Sequence, residues 1–194
     1  MKVYVIAGEN SGDYLGSELI LGLKQFYTDI SFFGIGGPLM KDCGLNSLFP
    51  MEELSLMGIF EIFPRLPALI KRRKEVIEDI ISVRPDILIT IDSPDFTLRV
   101  AKEVKKRDPS IKTVHFVAPQ VWVWREGRVK KIKKFIDHIL LLFEFEKKYF
   151  EKEQISCEFV GHPLLENKDY SKIDNSLIVT KHKALISVFA GSRE

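Results

Sequence analysis

The segment DILITIDSPDF, residues 86–96, carries the clearest indication of the fold. Its first part, Asp86–Ile91, is rich in Ile and Leu, which is typical of a buried strand, and a helix is predicted over Phe96–Lys106. The same alternation of a short apolar strand and an amphipathic helix recurs along the chain, and it is typical of βαβ units. The pattern predicts an α/β fold in which helices cover both faces of a parallel sheet.

The same reasoning, applied outward from this stretch, predicts the other strands and helices. The predicted strands are Lys2–Ala7, Ile30–Phe33, Ile111–Val117, His138–Phe143 and Cys157–Val160. The predicted helices are Asp13–Tyr27, Pro64–Val83, Gly127–Lys134 and Phe145–Lys152. In the first of these helices, helical spacing places one set of apolar residues on a single face: Leu15, Leu19, Leu23 and Phe26.

Length and composition indicate the domain organisation. A domain usually takes about 100–200 residues, so a chain of 194 residues holds one domain, or one domain and the start of another. Residues 1–166 are predicted to form the first domain, and residues 167–183 are polar enough to be a linker. Residues 184–194 have the pattern of a strand followed by a phosphate-binding turn, which would open a second domain that is otherwise absent.

The charge balance and the cysteines exclude several classes of protein. The chain has 29 Lys and Arg against 27 Asp and Glu, and its net charge of +2 does not predict a partner that is a nucleic acid. Cys43 and Cys157 lack the spacing of metal ligands, so neither a metal site nor a disulfide scaffold is predicted. Because the chain shows no signal-peptide pattern and no apolar run of about 18–20 residues, we expect a cytoplasmic protein with reduced cysteines.

One segment, residues 57–74, is apolar and then basic, with five basic residues and one acidic residue. Apolar insertion followed by cationic anchoring is typical of a segment that lies in a membrane interface with anionic headgroups. The alternative is a buried helix with a solvated basic end. The residues of this predicted membrane patch are Met57, Ile59, Ile62, Phe63, Leu66, Leu69, Ile70, Lys71, Arg72 and Arg73.

The sequence GENSGD, residues 8–13, directly follows the first predicted strand. Small polar residues between two glycines at the start of a helix can cradle a sugar or a phosphate with backbone N–H groups. The alternative is a tight turn in which Ser11 or Asp13 caps the helix. The candidate substrate-binding residues are Glu9, Asn10, Ser11, Gly12 and Asp13.

Asp92 lies where the strand Asp86–Ile91 is predicted to end, at the edge of the sheet where ligands of parallel sheets bind. A carboxylate at this position can accept a proton from a hydroxyl nucleophile. The alternative is an aspartate that only forms the turn. Asp95 follows Pro94 and precedes the next helix, so it is predicted to be the N-cap of that helix.

Further candidates lie in the last third of the chain. Trp122 and Trp124 are two residues apart and either pack in the core or form a wall that stacks on a sugar, with Gln120 supplying hydrogen bonds. His162 lies in a Gly-His-Pro turn, where it either contacts a ligand in an interdomain cleft or only forms the turn. His115 lies inside a predicted strand and is expected to be a core residue.

Several motifs, in one order, resemble those of a known family. They are GENSGD, GIGGP, MEELSLMGI, IDSPDF, VWVWR, FEK, FVGHP and GSR. Together they resemble the lipid-A-disaccharide synthase family over essentially the whole chain, which corresponds to the first half of the family's length. Two positions depart from the family pattern. Ala190 stands where the family commonly has Pro before Gly-Ser-Arg, and Phe145 stands where Pro commonly occurs in the Phe-Glu-Lys motif.

The resemblance implies the N-terminal, Rossmann-like domain of a GT-B glycosyltransferase that is inverting and needs neither a metal nor another cofactor. The implied reaction joins UDP-2,3-diacylglucosamine to 2,3-diacylglucosamine 1-phosphate and forms a β(1→6) disaccharide, the backbone of lipid A, and UDP. In this reaction Asp92 would be the general base, and Ser192 and Arg193 would contact the donor phosphates. The protein would lie at the anionic inner face of the inner membrane.

Two alternatives to an active glycosyltransferase remain at this point. The first is a truncated or split-gene product that keeps the acceptor-binding domain but is inactive alone. The second is another enzyme that acts on UDP-sugars, such as a 2-epimerase. The predicted membrane patch argues against the second alternative, because a soluble epimerase needs no membrane surface.

Overall fold

The structure is a computed structural model that describes residues 1–55, 62–119 and 127–163, with the side chains of all of these except residues 55 and 62–66. The strands in this part of the chain are β1 Lys2–Ala7, β2 Ser31–Ile35, β3 Asn46–Ser47, β4 Ile87–Ile91, β5 Lys112–Phe116, β6 His138–Leu141 and β7 Ser156–Phe159. They form one parallel sheet in the order β3-β2-β1-β4-β5-β6-β7.

The helices connect these strands and alternate with most of them along the chain. They are α1 Asn10–Phe26, α2 Pro38–Asp42, α3 Glu52–Ser55, α4 Ile62–Val83, α5 Pro94–Arg107, α6 Gly127–Ile132 and α7 Lys147–Glu151, and a 3₁₀ turn, Glu144–Glu146, precedes α7. Residues Met1–Pro163 form one compact unit. None of the helices within the described residues is long and apolar enough to cross a bilayer.

The order of the strands reverses at β1. This strand pairs with β2 on one side, where Val5 is opposite Gly34, and with β4 on the other, where Ala7 is opposite Ile91. The chain moves from β1 first to β2 and β3, and then returns to β4 and continues outward to β7. The switch point of the sheet therefore lies between the carboxyl ends of β1 and β4, where ligands of open α/β sheets bind.

The core is built around β1, in which Val3, Tyr4 and Val5 are fully buried. On one side, Gly34 of β2 has a φ of +135°, and a Cβ there would overlap the carbonyl oxygen of Val5, so only glycine fits. On a second side of β1, the Tyr4 hydroxyl donates a 2.6 Å hydrogen bond to the carboxylate of Asp79 in α4. Burial and this carboxylate raise the pKa of Tyr4 well above its ordinary value, so the hydroxyl stays a donor.

The predicted α/β class is confirmed, and so is each predicted strand and helix up to residue 163, within a few residues at its ends. Three short elements were not predicted: α2, β3 and α3. Phe26 is 81% exposed, so the apolar face of α1 does not continue into the core at its last residue. The predicted domain boundary at residue 166, the linker 167–183 and the strand in 184–194 lie outside the described residues.

Candidate active site

Two turns meet at the switch point of the sheet. The first follows β1 and begins at Gly8, and the second follows β4 and contains Asp92 and Ser93. A Cβ placed on Gly8 would lie 2.9 Å from the Ser93 hydroxyl oxygen, so the absence of a side chain at Gly8 lets the two turns pack together. The structure therefore brings the GENSGD turn and Asp92 to one place, because β1 and β4 are neighbours in the sheet.

The turn after β1 leads directly into α1. Helix α1 begins at Asn10 with Glu9 as its N-cap residue, so the alternative prediction that Ser11 or Asp13 caps this helix is wrong. Asn10 and Ser11 are exposed at the start of the helix. Gly12 is buried, and a Cβ on it would lie 3.2 Å from the Cβ of Ala7, so Gly12 allows α1 to approach β1 closely.

Asp13 holds the start of α2. Its carboxylate accepts hydrogen bonds from the backbone N–H groups of Gly37 (2.8 Å), Leu39 (3.0 Å) and Met40 (3.0 Å). These donors belong to the N-cap and first turn of α2, where N–H groups lack partners within the helix. Asp13 is only 3% exposed, which gives its carboxylate a structural role, and its part in substrate binding stays a prediction.

Asp92 follows β4 in the left-handed conformation, with a φ of +50°. Ser93 continues in the same region, with a φ of +43°. For residues other than glycine each such conformation costs about 1–3 kcal/mol and persists only where surrounding contacts enforce it. Asp92 is partly buried, and no group within the described residues donates a hydrogen bond to its carboxylate. Asp92 therefore lies, partly exposed, at the edge of the sheet where ligands of open α/β sheets bind.

The neighbouring strand ends with a third strained residue. Val117, directly after β5, has a φ of +73°, which is unusual for a β-branched side chain. The N–H of Asp92 donates to the carbonyl oxygen of Phe116 (3.0 Å), and the N–H of Val117 donates to that of Leu140 (3.1 Å). Strained backbone therefore collects at the carboxyl ends of β4 and β5, as it often does at functional sites.

Asp95 is separate from Asp92 in both position and contacts. Helix α5 begins at Pro94 with Ser93 as its N-cap residue, so the prediction that Asp95 is the N-cap is wrong. Asp95 is the second residue of the helix, and its side chain is 82% exposed and lies 3.5 Å from Arg128 of α6. A carboxylate in the first turn interacts favourably with the helix dipole, so Asp95 still supports α5.

His115 of β5 is fully buried, which confirms that it is a core residue. Its Nδ1 lies 2.8 Å from the Thr90 hydroxyl, and its Nε2 has no hydrogen-bond partner in the described part of the chain. Burial first, and then the positive charge of Arg128, lower the pKa of His115 to about 3, so the imidazole is neutral at physiological pH.

His162 lies just after β7, three strands from β4 in the sheet. The structure therefore does not place it beside Asp92. Its ring centroid lies 6.3 Å from that of Phe143, which stacks on Phe145 at 5.8 Å. Phe143, Phe145 and Phe159 are 49%, 50% and 43% exposed, and with His162 we call them the aromatic patch.

The described part of the predicted membrane patch divides into two kinds of residue. Ile70 is 38% exposed and Lys71 is exposed, as insertion into a membrane interface requires. Leu69 is instead partly buried and packs on the core, so its inclusion in the exposed patch is wrong. Arg72 is paired within the protein, with Glu53 of α3 and Glu75 of α4. Ile62, Phe63 and Leu66 lie in α4, but their side chains are not described.

Several predicted site residues lie outside the described part of the chain altogether. They are Met57, Ile59, Gln120, Trp124, Ser192 and Arg193. Within the described residues, no group of three His, Cys, Asp or Glu side chains could hold a metal ion.

Some residues that shape the site were missed from the sequence. Ser93 occupies the N-cap position of α5 without a capping hydrogen bond from its side chain, and the Ser-Pro pair at the start of a helix is a signal that could have identified this position. Thr97 hydrogen-bonds to the carbonyl oxygens of Asp92 and Ser93, and no sequence pattern indicates that contact.

Solved structures with this architecture include enzymes with UDP bound. The UDP-GlcNAc 2-epimerase of Methanocaldococcus jannaschii, in complex with UDP-GlcNAc and UDP, has a TM-score of 0.62 and 16% identity over 91% of this chain and 52% of that chain. The S. aureus MnaA–UDP co-structure has a TM-score of 0.60 and 12% identity over 90% of this chain and 47% of that chain. These likenesses show the fold, and with the parallel sheet and its switch point they define a Rossmann-like half of a GT-B-type protein.

The sequence then identifies the family. The chain belongs to the family described as Lipid-A-disaccharide synthetase, whose model matches residues 3–194. The lipid-A-disaccharide synthase of Ruegeria pomeroyi is 48% identical over 181 residues, which is 93% of this chain and 45% of the relative. That of Idiomarina loihiensis is 42% identical over 197 residues, which is 100% of this chain and 52% of the relative. The chain thus spans about half the length of the curated relatives it matches.

Proposed function

We propose that this chain forms the acceptor-binding half of a lipid-A-disaccharide synthase. The whole enzyme would transfer 2,3-diacylglucosamine from UDP to 2,3-diacylglucosamine 1-phosphate. The observation that carries the proposal is the position of Asp92, whose carboxylate follows β4 at the switch point, beside the turn that follows β1. Membership of the family supports the choice of reaction.

In the proposed reaction, Asp92 is the general base. Its carboxylate accepts the proton of the acceptor 6-hydroxyl as that oxygen attacks the anomeric carbon of the donor sugar. The new C1–O6 bond forms while the bond from C1 to the UDP oxygen breaks, and UDP leaves with that electron pair. Attack from the face opposite the leaving group gives the inverted, β-linked product.

The remaining groups of the proposed site bind and orient the two sugars. Asn10 and Ser11 are exposed at the start of α1, next to Glu9, and are suited to hydrogen-bond the acceptor. Gly12 and Asp13 stabilise this turn in different ways. Gly12 lets α1 pack closely on β1, and Asp13 accepts hydrogen bonds from the start of α2. We further propose ligand contacts for three residues because of their chemistry: hydrogen bonds from Gln120, stacking on a sugar by Trp124, and a contact from His162 in its Gly-His-Pro turn.

The donor phosphates are proposed to meet Ser192 and Arg193. Negative charge develops on the diphosphate as the bond to C1 breaks, and an arginine beside it would stabilise the transition state. Because the chain spans about half the length of its relatives, the rest of the donor site would come from their second half. We therefore propose that the 194-residue chain alone does not convert the two substrates into disaccharide.

We also propose that the membrane patch lies at the inner face of the inner membrane. Both proposed substrates carry acyl chains, and the acceptor also carries a phosphate, so both are lipids of an anionic surface. In the described part of α4, the exposed Ile70 adjoins the basic residues Lys71 and Arg73, and Lys74 is exposed one residue later. This combination is suited to interfacial binding, in which apolar insertion and cationic attraction act together.

The proposal is tested by measuring binding of the acceptor to the 194-residue chain. The acceptor, 2,3-diacylglucosamine 1-phosphate, is titrated in neutral detergent micelles, and phosphatidic acid with matched acyl chains is the control because it has a phosphate and acyl chains but no sugar. We expect saturable binding of the acceptor that Asn10→Ala and Ser11→Ala weaken together. Equal binding of both lipids, or no effect of the two substitutions, would contradict an acceptor site at this turn.

A further inference from the structure

We propose that Thr97 is a positioning residue for Asp92. It acts by hydrogen-bonding to the backbone of Asp92 and Ser93 and so holding both residues in the left-handed conformation. The inference rests on the proposed function, because it takes Asp92 as the general base. It concerns a residue that would not touch either substrate: Thr97 lies on α5 and is fully buried.

The contacts of Thr97 are unusually concentrated on the strained turn. Its hydroxyl lies 2.8 Å from the carbonyl oxygen of Asp92 and 3.0 Å from that of Ser93, so its single proton is shared between two acceptors. The bond to Ser93 is the common contact of a helical threonine with the carbonyl four residues earlier. The shorter bond, to Asp92, spans five residues and reaches past the helix to the end of β4.

Asp92 is thereby held on both sides. Its N–H donates to the carbonyl oxygen of Phe116 in β5, and its own carbonyl accepts the proton of Thr97. These contacts offset the cost of two consecutive left-handed residues, about 1–3 kcal/mol each. Without the hydroxyl of Thr97, the backbone of Asp92 would keep one hydrogen bond among the described residues, the one to β5, while Ser93 would still accept from the N–H groups of Phe96 and Thr97.

The conformation matters because it determines the direction of the carboxylate. Side chains alternate between the two faces of an extended strand, so an extended Asp92 would point to the same face as Thr90. Thr90 is fully buried in the core, beside His115. In the left-handed turn Asp92 is partly exposed, whereas Thr90 on the strand is fully buried.

The test uses a fusion of this chain to the second half of the Idiomarina loihiensis relative, which completes the length of the family. Two matched pairs of variants isolate the hydroxyl: wild type against Thr97→Val, which have nearly the same shape, and Thr97→Ser against Thr97→Ala. We expect loss of the hydroxyl to lower kcat by about 10- to 100-fold in each pair, as for a misplaced catalytic group, with little change in KM. If Thr97→Val does not fold, the Ser and Ala pair gives the same comparison.

A double-mutant cycle separates positioning from a general loss of structure. In an Asp92→Asn background, removing the hydroxyl of Thr97 should lower kcat no further, because the group that it positions is gone. An equal loss in both backgrounds, or a kcat that does not depend on the hydroxyl, would overturn the proposal. Asp92→Asn with an unchanged kcat would instead overturn the proposed function.

A conformational readout does not depend on activity. Backbone chemical shifts of Asp92 and Ser93 in the isotope-labelled 194-residue chain report whether both residues keep positive φ angles. We expect them to do so in wild type and Thr97→Ser, and to lose them in Thr97→Val and Thr97→Ala. Left-handed shifts that persist in all four proteins would contradict the inference whatever the activity of the fusion.

Discussion

Arg72 and Glu53 form a two-point ion pair, in which Nε lies 2.7 Å from Oε2 and Nη2 lies 2.8 Å from Oε1. The pair joins α4 to α3, on either side of residues 56–61. The Arg72 guanidinium also pairs with Glu75 at 2.7 Å and lies 4.5 Å from the centre of the Phe49 ring. The hydrogen bonds to Glu53 and Glu75 raise the pKa of Arg72, so it stays charged. Arg72 is therefore engaged within the protein.

The ion pair leads to a prediction about binding to membranes. Substituting Lys71, Arg73 and Lys74 by Gln should weaken binding to vesicles that contain anionic lipid, because each basic residue near such a surface contributes about 1 kcal/mol. Arg72→Gln should instead lower the melting temperature and change vesicle binding least. Co-sedimentation at several salt concentrations measures the first effect, and calorimetry the second.

The same co-sedimentation experiment tests the apolar contribution to membrane binding with the variant Ile70→Ser. We expect it to reduce vesicle binding without lowering the melting temperature, because Ile70 is exposed. Leu69→Ser should lower the melting temperature, because Leu69 packs on the core. If Arg72→Gln weakens binding as much as the triple substitution does, or if Ile70→Ser leaves binding unchanged, the proposed membrane contact of α4 is wrong.

Asp13 is predicted to act on stability. Asp13→Asn keeps the shape of the side chain but replaces one acceptor oxygen by a donor, which leaves an N–H group of α2 without a partner. We expect the free energy of unfolding to fall by about 1–3 kcal/mol, the usual range for a lost hydrogen bond to a buried charged group. Asp42→Asn, on the exposed last residue of α2, is the control and should have little effect in the same denaturant titration. Equal effects would show that the cap is unimportant.

His115 is predicted to make stability depend on pH. Its pKa is about 3 in the folded chain and ordinarily 6.5, so between these values the unfolded chain binds one proton more. Stability should therefore fall as the pH drops from 6.5 toward 3, by about 1.4 kcal/mol per pH unit from this residue. Carboxylates add to the acid lability: burial tends to raise the pKa of Asp137, but its hydrogen bonds with Lys105 and Thr113 lower that pKa overall.

The contribution of His115 is obtained by comparison with His115→Gln, which cannot titrate. The wild type should lose stability more steeply than this variant between pH 6.5 and the lowest pH at which both still fold, and the two should run parallel above pH 7. If the free energies of unfolding of the two proteins ran parallel over the whole pH range, the pKa of His115 would not be lowered by folding, and the prediction would be wrong.

Much of the architecture was predictable, because long periodic segments such as α4 and buried runs such as β1 carry strong local signals. The short elements were not, because the position of α2 depends on Asp13, which is distant in sequence, and a helix of a single turn has no periodicity. The site was predictable in outline, since Asp92 follows a strand. Its left-handed conformation was not, because it depends on tertiary contacts with Thr97 and with β5.

The aromatic patch is predicted to make the 194-residue chain self-associate. Phe143, Phe145 and Phe159 are exposed at the carboxyl ends of β6 and β7, where the compact unit ends at Pro163. Exposed apolar groups of this size favour association. The double substitution Phe143→Ser and Phe145→Ser should shift the chain toward the monomer in sedimentation velocity. Phe26→Ser, at an exposed phenylalanine on α1, is the control, and an equal shift there would contradict a specific role for the patch.

Asp92 is proposed to be the general base of a glycosyltransferase. The most direct measurement is the rate of disaccharide formation by the fusion of this chain with the second half of the Idiomarina loihiensis relative, compared between Asp92→Asn and Asp95→Asn. We predict that the fusion forms disaccharide and that Asp92→Asn lowers its rate by about 10²–10⁴ with an unchanged melting temperature. Asp95→Asn, on an exposed side chain three residues away, should keep most of the rate. A wild-type rate in Asp92→Asn, or equal losses in both variants with unchanged melting temperatures, would show that Asp92 is not the general base.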